Sequence, residues 1–480
     1  MDNIGEIFVK YYKENPQKIA IIDKNIKYST KELANRVFNI QQKLPSDIKG
    51  KVILILLPNS IEYIATYFAV SLLGGIVYPI YWKSKPNEIE KYIYDADVFL
   101  SITNKSGLDK ISDYYNNLVV IIEDDCKLVG EPKFVKRDTD EIALLLQTSG
   151  TTNDSKIVAH SHNSLIQNSK AHSNSIGLKE SDRCLITLPF PFGYCNTSQF
   201  LSSILIQCTI VIIREPILPT YFIRTILKND ITTFTAVPTL INILEKDFVG
   251  LTKENIFSVS SICFGGGTLS KDGISFLEKV FPNASIYQTY GQTEAGPRIT
   301  TCLIGSEYVP ENVGYPLENI KLKIVDDNFT KVEENITGQI LVRSPSLMKG
   351  YLKNKNLDDN TIINGWLQTG DLGFIDEKGM LHITGRIKNI IKYSGYKIYP
   401  EEIEKLVIDK HRIKSLMLKG KKDKMYGEIP ILYIEGAYDE ELKVSIFQTC
   451  EDNLSSYKIP KEIFFVDRLS TTNNGKLKRI

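Results

Sequence analysis

From residue 51 onward, short β-rich apolar runs alternate with helix-like stretches: strands over 51–57, 76–80, 98–102 and 119–122, with a helix over 61–73. The same rhythm returns at 209–213, 232–236 and 260–264. Such alternation predicts parallel sheet covered by helices, because a crossover helix is what joins two parallel strands. The most apolar stretch, 61–81, carries Glu62 and a Gly-Gly pair, and so predicts a buried helix followed by a strand rather than a membrane span. Around Gly338 the pattern shortens to polar-flanked strands, which predicts a smaller β-rich subdomain. Beyond Arg386 the chain predicts a compact α+β unit: residues 387–392, a turn at Ser394-Gly395, then 396–399, then a helix opening at Pro400-Glu401-Glu402. Proline fits the first turn of a helix and glutamates there complement its dipole.

Length and charge narrow the class. A chain of 480 residues is too long for one ordinary core and predicts two or more domains. Lys plus Arg (58) against Asp plus Glu (57) leaves a formal charge of +1, so no overall field favours nucleic acid or an anionic membrane. The first residues carry charges throughout and hold no apolar signal core. Seven cysteines, an odd number with no CxxC pair, predict reduced thiols and a cytoplasmic protein, and the five histidines have no metal-ligand spacing.

Four segments carry candidate chemistry. The run Leu144-Leu145-Leu146-Gln147-Thr148-Ser149-Gly150-Thr151-Thr152-Asn153-Asp154-Ser155-Lys156 breaks from an apolar strand into a loop of hydroxyls, glycine and lysine. Freed N–H groups, hydroxyls and an ammonium can wrap a polyphosphate; a polar surface turn is the plain alternative. Next come Gln288-Thr289-Tyr290-Gly291-Gln292-Thr293-Glu294 and the stretch Trp366 to Arg386, WLQTGDLGFIDEKGMLHITGR. The fourth is Asn474-Gly475-Lys476-Leu477-Lys478-Arg479 at the end.

In this order the four resemble the signature set of the adenylate-forming superfamily of acyl-CoA synthetases, peptide-synthetase adenylation domains and luciferases. The resemblance implies a large N-terminal adenylating domain, residues 1–386, and a small mobile C-terminal lid, residues 387–480, that carries a catalytic lysine. It implies ATP and Mg²⁺ as cofactors and a thiol acceptor, either CoA or a carrier-protein phosphopantetheine. Thr148, Ser149, Gly150, Thr151, Thr152 and Lys156 would cradle the β and γ phosphates. Asn153, Ser155 and Ile157 depart from the family's TSGTTGxPKG, which alters the backbone constraints on that loop. Gly265, Gly266 and Gly267 would lie against adenine and the acid's carbonyl, with Gln288, Thr289, Tyr290 and Gly291 completing the nucleotide wall and Tyr290 stacking on the base. Thr293 would touch the α-phosphate and Glu294 would hold Mg²⁺. Asp371 would accept the ribose hydroxyls and Arg386 would contact ribose or phosphate, a structural salt bridge being the alternative for either. Lys476 would bridge the substrate carboxylate and the α-phosphate, its register matching LPxTxNGKxxR with Ser470 in place of proline. Lys388 falls at the position where the lid swivels, and Gly395 where a pantetheine arm passes.

For the acid, the family's aromatic segment stands as Pro189-Phe190-Pro191-Phe192-Gly193-Tyr194, so Phe192, Gly193 and Tyr194 are pocket candidates. Amino-acid-activating domains carry aspartate where Gly193 stands; without that carboxylate a buried ammonium lacks its counter-charge. The expected substrate is therefore a small carboxylic acid, aryl or fatty, without an α-amine. Arg298 either reads a polar end of that acid or is a surface arginine. Two rivals accompany the CoA-ligase reading: a stand-alone enzyme loading a carrier protein, and a nucleotide-binding paralogue without catalysis, the latter opposed by the joint presence of Glu294, Asp371 and Lys476.

Overall fold

The computed structural model describes residues 3–111, 118–122, 128–148, 156–247, 255–305, 307–353, 360–411, 413 and 415–470. The alternation of strands and helices resolves into two parallel-rich sheets. The smaller has seven strands, in the order Gly350–Tyr351, Ile157–Ser161, Ile142–Gln147, Ile76–Pro79, Val52–Leu56, Leu100–Thr103 and Leu118–Ile121. From Ile142–Gln147 to Leu118–Ile121 every pairing is parallel. The larger has fourteen strands and changes character along its width. Its parallel part runs through Ile19–Asp23, Thr209–Ile212, Arg183–Ile186, Thr233–Ala236, Ser261–Gly265 and Ser285–Tyr290. It then continues antiparallel through Thr300–Leu303, Asn312–Pro316, Leu381–Arg386, Trp366–Ile375, Gly338–Arg343 and Lys321–Val325. The β-rich subdomain expected after Gly338 is thus an extension of the parallel sheet.

Apolar burial explains the assembly. In the helix Ile61–Leu72 every residue except Glu62 is buried, so it is enclosed by protein on all sides. Its neighbours in the core include Phe8, stacked on Phe68 with ring centroids 4.2 Å apart, and Phe200, edge-on to Tyr67. Among the described residues no helix is long and apolar enough to cross a membrane. Reciprocal capping boxes start two helices: Asn3 with Glu6 before Ile4–Glu14, and Ser29 with Glu32 before Thr30–Gln41.

Residues beyond Arg386 build a five-stranded sheet, Tyr396–Ile398, Ile391–Tyr393, Gly427–Glu435 and Leu416–Asp423, with Glu462–Val466 parallel to Gly427–Glu435. The helices Pro400–His411 and Glu440–Asn453 supply Ile403, Val407, Ile446 and Cys450 to a core of its own. The stretch 387–392, read as one piece, divides into a 3-10 turn Ile387–Asn389 and the strand Ile391–Tyr393.

Candidate functional site

The candidate site draws on the edge of the seven-stranded sheet and on the region where the fourteen-stranded sheet changes from parallel to antiparallel. Strands Ile142–Gln147 and Ile157–Ser161 pair antiparallel, and between them Thr148 N–H donates to the Lys156 carbonyl at 3.0 Å while Lys156 N–H reaches the Thr148 hydroxyl at 3.3 Å. These two bonds close the base of the hydroxyl-rich loop. Ser149, Gly150, Thr151, Thr152, Asn153 and Ser155 lie outside the described residues, as do Asn474, Gly475, Lys476 and Arg479.

Lys156 itself is placed: its ammonium sits 4.4 Å from the ring centroid of Tyr351. The Tyr351 hydroxyl donates to Glu294 Oε1 at 2.9 Å. One tyrosine therefore connects the lysine expected to meet phosphate with the carboxylate expected to hold the metal. Tyr351 reaches this point because Gly350–Tyr351 adds as an edge strand to Ile157–Ser161. Thr293 and Glu294 stand in a 3-10 turn, Thr293–Ala295, whose backbone is tied down twice. Met348 N–H donates to the Glu294 carbonyl at 2.9 Å, and His160 Nε2 meets the Thr293 carbonyl at 2.8 Å. Burial lowers the His160 pKa to about 4, so the ring is neutral at pH 7 and carries its proton on the nitrogen facing that carbonyl.

A second cluster gathers Tyr290, Asp371 and Arg386. The Tyr290 hydroxyl donates to Asp371 Oδ2 at 2.6 Å, and Arg386 Nε to Asp371 Oδ1 at 2.7 Å. Asp371 is 1 % exposed and its register opposite Arg386 is fixed by pairing of their strands. Burial and then the nearby carboxylate raise the Tyr290 pKa well above its ordinary value, so the phenol remains a donor. The Asp371 charge likewise raises the Arg386 pKa. A carboxylate offers about four lone-pair positions, and two are taken here.

The glycines show close approach rather than looseness. A Cβ on Gly265 would overlap Thr289 and come within 3.0 Å of the Tyr194 hydroxyl; one on Gly291 would overlap the Pro297 carbonyl. Gly266 has φ +80°, while Gly267 has more room, its nearest neighbour being Pro238 at 3.5 Å. Thr289 donates to the Phe264 carbonyl at 2.8 Å and its oxygen accepts from Tyr194 at 2.7 Å, so the wall between strands is hydrogen-bonded through. Gln288 pairs with Phe264 in the same strands, and its side-chain amide donates to the Pro310 carbonyl at 2.7 Å. Phe192 packs against Tyr81 with ring centroids 5.4 Å apart, and a side chain at Gly193 would press on Leu146 at 3.2 Å.

Arg298 is not at the surface. It is 1 % exposed, lies 5.3 Å from the Tyr194 ring centroid, and donates to His172 Nδ1 and to the Thr301 hydroxyl, each at 3.3 Å. Lys388 is exposed on the 3-10 turn that leads out of Arg386, with Asn389 donating to Glu401 at 2.7 Å. Gly395 follows Ser394 at a hairpin tip, with φ +84° and +47° respectively, and a Cβ there would meet open space. The left-handed backbone at this turn suits glycine. Lys405 pairs with Glu311 at 2.8 Å and Lys397 with Asp327 at 2.6 Å, linking the C-terminal unit to the antiparallel extension. Among the described residues no group of histidine, cysteine or acidic side chains could by itself hold a metal ion. A single carboxylate such as Glu294 still suits Mg²⁺, which keeps most of its waters.

Sequence reasoning missed Tyr351, His160 and His172. The only signal for Tyr351 was its place after a glycine in an otherwise polar stretch, and the two histidines lay within apolar or mixed runs without a spacing rule.

The described residues thus gather into two clusters, Lys156, Tyr351 and Glu294 in one and Tyr290, Asp371 and Arg386 in the other. A family model described as AMP-binding enzyme matches residues 8–352, and one described as AMP-binding enzyme C-terminal domain matches residues 402–476. The chain belongs to the AMP-binding enzyme family. It is 30 % identical to 4-coumarate--CoA ligase 3 of Oryza sativa subsp. japonica over 90 % of this chain and 82 % of that protein. With 2-succinylbenzoate--CoA ligase of Bacillus cytotoxicus it shares 26 % identity, covering 97 % and 95 %. Its fold superposes on o-succinylbenzoate CoA synthetase (MenE) from Bacillus subtilis, solved with the acyl-adenylate intermediate OSB-AMP, with a TM-score of 0.85, 26 % identity and coverage of 98 % and 96 %. ATP-bound MatB from Rhodopseudomonas palustris, at 24 % identity and a TM-score of 0.88 over 99 % and 97 %, has the same fold.

Proposed function

We propose that this chain is an AMP-forming acid–thiol ligase: a carboxylic acid and ATP give an acyl- or aryl-adenylate and pyrophosphate, and CoA then takes the acyl group as a thioester. The observation that carries it is the presence of two clusters: Lys156–Tyr351–Glu294, which ties the edge of the seven-stranded sheet to the turn Thr293–Ala295, and Tyr290–Asp371–Arg386, within the fourteen-stranded sheet. The first provides a cation for phosphate and a carboxylate for a divalent ion; the second provides acceptors for a ribose. The CoA-ligase names of the relatives favour CoA as acceptor over a carrier protein.

The chemistry follows from positioning and charge. An oxygen of the substrate carboxylate attacks the α-phosphorus, the bond to the bridging oxygen breaks, and pyrophosphate leaves with the electron pair. Lys156 and the loop from Thr148 to Thr152 hold the departing phosphates, and Thr293 directs the α-phosphate. Mg²⁺, carried by Glu294, would neutralise phosphate charge. Lys476 spans the attacking carboxylate and the α-phosphate and acts on the charge that develops in the transition state. Asp371 fixes the ribose, so that the attack line is set by the sheet and not by the loops. In the second half-reaction the thiolate attacks the acyl carbon and AMP leaves. Residues 387–480 form the lid unit, turning about Lys388 and presenting Gly395 to the pantetheine arm, and residues 1–386 the adenylating unit.

The acid has no α-amine. Gly193 brings no carboxylate to pair with an ammonium, and the buried Arg298 guanidinium beside Tyr194 would repel one. We place the enzyme in the cytoplasm, a reading supported by six free cysteines among the described residues. The test is acid-dependent exchange of labelled pyrophosphate into ATP across aryl, fatty and amino acids, followed by thioester formation with free CoA and with a phosphopantetheinylated carrier. Exchange with no acid despite nucleotide binding would replace this reading by a non-catalytic nucleotide-binding protein, and loading of the carrier alone would change the acceptor.

A further inference from the structure

Arg298 is a fully buried cation without an anionic partner among the described residues. Its five N–H donors meet two acceptors among the described residues, His172 Nδ1 and the Thr301 hydroxyl, both at 3.3 Å. No acidic side chain among those residues pairs with it. Every group around it is neutral: burial and the guanidinium itself hold His172 well below its ordinary pKa, and burial pushes the Cys263 thiol up to about 11 and the Tyr194 phenol higher still. Burial lowers the Arg298 pKa too, yet a guanidinium stays protonated at pH 7.

The position is held firmly although the charge is not balanced. Asn168 accepts from Arg298 N–H at 3.0 Å and donates to its carbonyl at 2.8 Å, so the backbone is clamped to the helix His162–Ile176. The side chain is aligned by the Tyr194 ring on one side and His172 on another. Folding alone does not reward a stiffly held, desolvated, unpaired cation; a hydrophobic residue of similar volume would serve the core better. A ligand that brings the missing anion would be rewarded, because its charge meets donors already oriented in a medium of low dielectric.

We infer that Arg298 is a specificity residue that pairs with a second anionic group, a carboxylate, on the acid substrate, so that the enzyme's acids are diacids activated at one end and held at the other. This rests on the ligase reading, since it is Tyr194 that links Arg298 to the acid pocket: its ring carries the guanidinium, and its hydroxyl reaches Thr289 and the Gly265 wall where the reacting carboxyl belongs. The reacting carboxyl must stay beside Thr293 to meet the α-phosphate, so the anion at Arg298 is the distal one. His172, neutral and touching the guanidinium, keeps the pocket free of competing charge.

The experiment compares aliphatic and aromatic diacids with their distal monoamides, which keep shape and hydrogen bonding but lose the charge. In pyrophosphate exchange the parent enzyme should favour the diacid by at least about 100-fold in kcat/KM, as sites with a buried unmatched polar group do. In Arg298→Met the ratio should fall to about one or invert, with the melting temperature retained or raised. A parent that uses monoamides or simple monoacids as well as any diacid overturns the inference, whatever the variant does. Should no acid support exchange, the ligase reading fails separately. Calorimetric titration of the AMP-bound parent with a diacid and its monoamide then still decides: tighter binding of the diacid supports the anion site, and equal or absent binding overturns it.

Discussion

Replacing Asp371 by asparagine separates the proposed ribose contact from the internal latch to Tyr290 and Arg386. Today Oδ1 accepts from Arg386 and Oδ2 from Tyr290, and the residue is 1 % exposed. A hydrogen bond to a charged group contributes about 1.5–3 kcal/mol. The Tyr290 bond counts in full because it is buried. The Arg386 pair is discounted to under about 1 kcal/mol, since that side chain is 53 % exposed and screened by water. Because the amide oxygen still accepts from Tyr290 as a neutral acceptor, the folded state should lose about 1–2 kcal/mol in Asp371→Asn, a visible fall in melting temperature without unfolding.

Nucleotide binding has a separate magnitude. If the two remaining lone-pair positions accept the ribose hydroxyls, the amide keeps one neutral acceptor and loses both charge-assisted bonds, weakening AMP by about 10- to 100-fold. The assay is calorimetric titration of parent and variant with AMP and with 2′,3′-dideoxy-AMP. The parent should discriminate against the dideoxy nucleotide by about 10- to 100-fold, and the variant by no more than about threefold. A variant that keeps the parent's discrimination while melting earlier would leave Asp371 as a latch for Tyr290 and Arg386 only, and the ribose assignment would be wrong.

Tyr351→Phe keeps the ring under Lys156 but removes the donor to Glu294, so the Mg²⁺ concentration for half-maximal exchange should shift several-fold; an unmoved Mg²⁺ requirement refutes the bridge. Lys476→Ala should slow single-turnover adenylate formation by about two to three orders of magnitude while AMP still binds, and a variant at the parent rate removes the lysine from the mechanism. For pH, the buried His160 and His162 have folded pKa values of about 4 against an ordinary 6.5, so the native state resists the protons that the unfolded chain accepts. Their stabilisation is complete above pH 6.5 and is lost as pH falls toward 4. By pH 5, before carboxylates titrate, each should have cost about 2 kcal/mol; urea midpoints that stay level from pH 7 to 5 would refute the burial argument. Gly395→Ala should strain the hairpin by about 1–2 kcal/mol because its φ is +84°. If a pantetheine arm also passes there, thioester formation falls while exchange persists.

What could be read before the fold was known depended on how local each signal was. The strand and helix alternation was local: the predicted helix over 61–73 forms as Ile61–Leu72 and the strand over 76–80 as Ile76–Pro79, since periodicity and turn residues act over a few positions. That those strands divide between two sheets was not local, because the partner of Ile142–Gln147 is Ile76–Pro79 while Thr209–Ile212 pairs with Ile19–Asp23, over 180 residues away. The site divides the same way. Asp371 and Arg386 stand on one hairpin and were found together, whereas Tyr351 and Glu294 meet across 57 residues.

Arg298 marks the limit of that legibility and the reason for it. Four residues past Glu294 in an ordinary-looking stretch, it could be either a surface arginine or a pocket residue, because a guanidinium in sequence carries no sign of burial. Only the fold brings Asn168 and His172, both on one helix, against its backbone and side chain, and among the described residues it sets no acidic side chain beside it. A missing counter-charge is a property of three-dimensional surroundings, and no motif can encode it. If Arg298 selects the substrate, that choice rests on one charge set among neutral neighbours, which no short segment of the chain records.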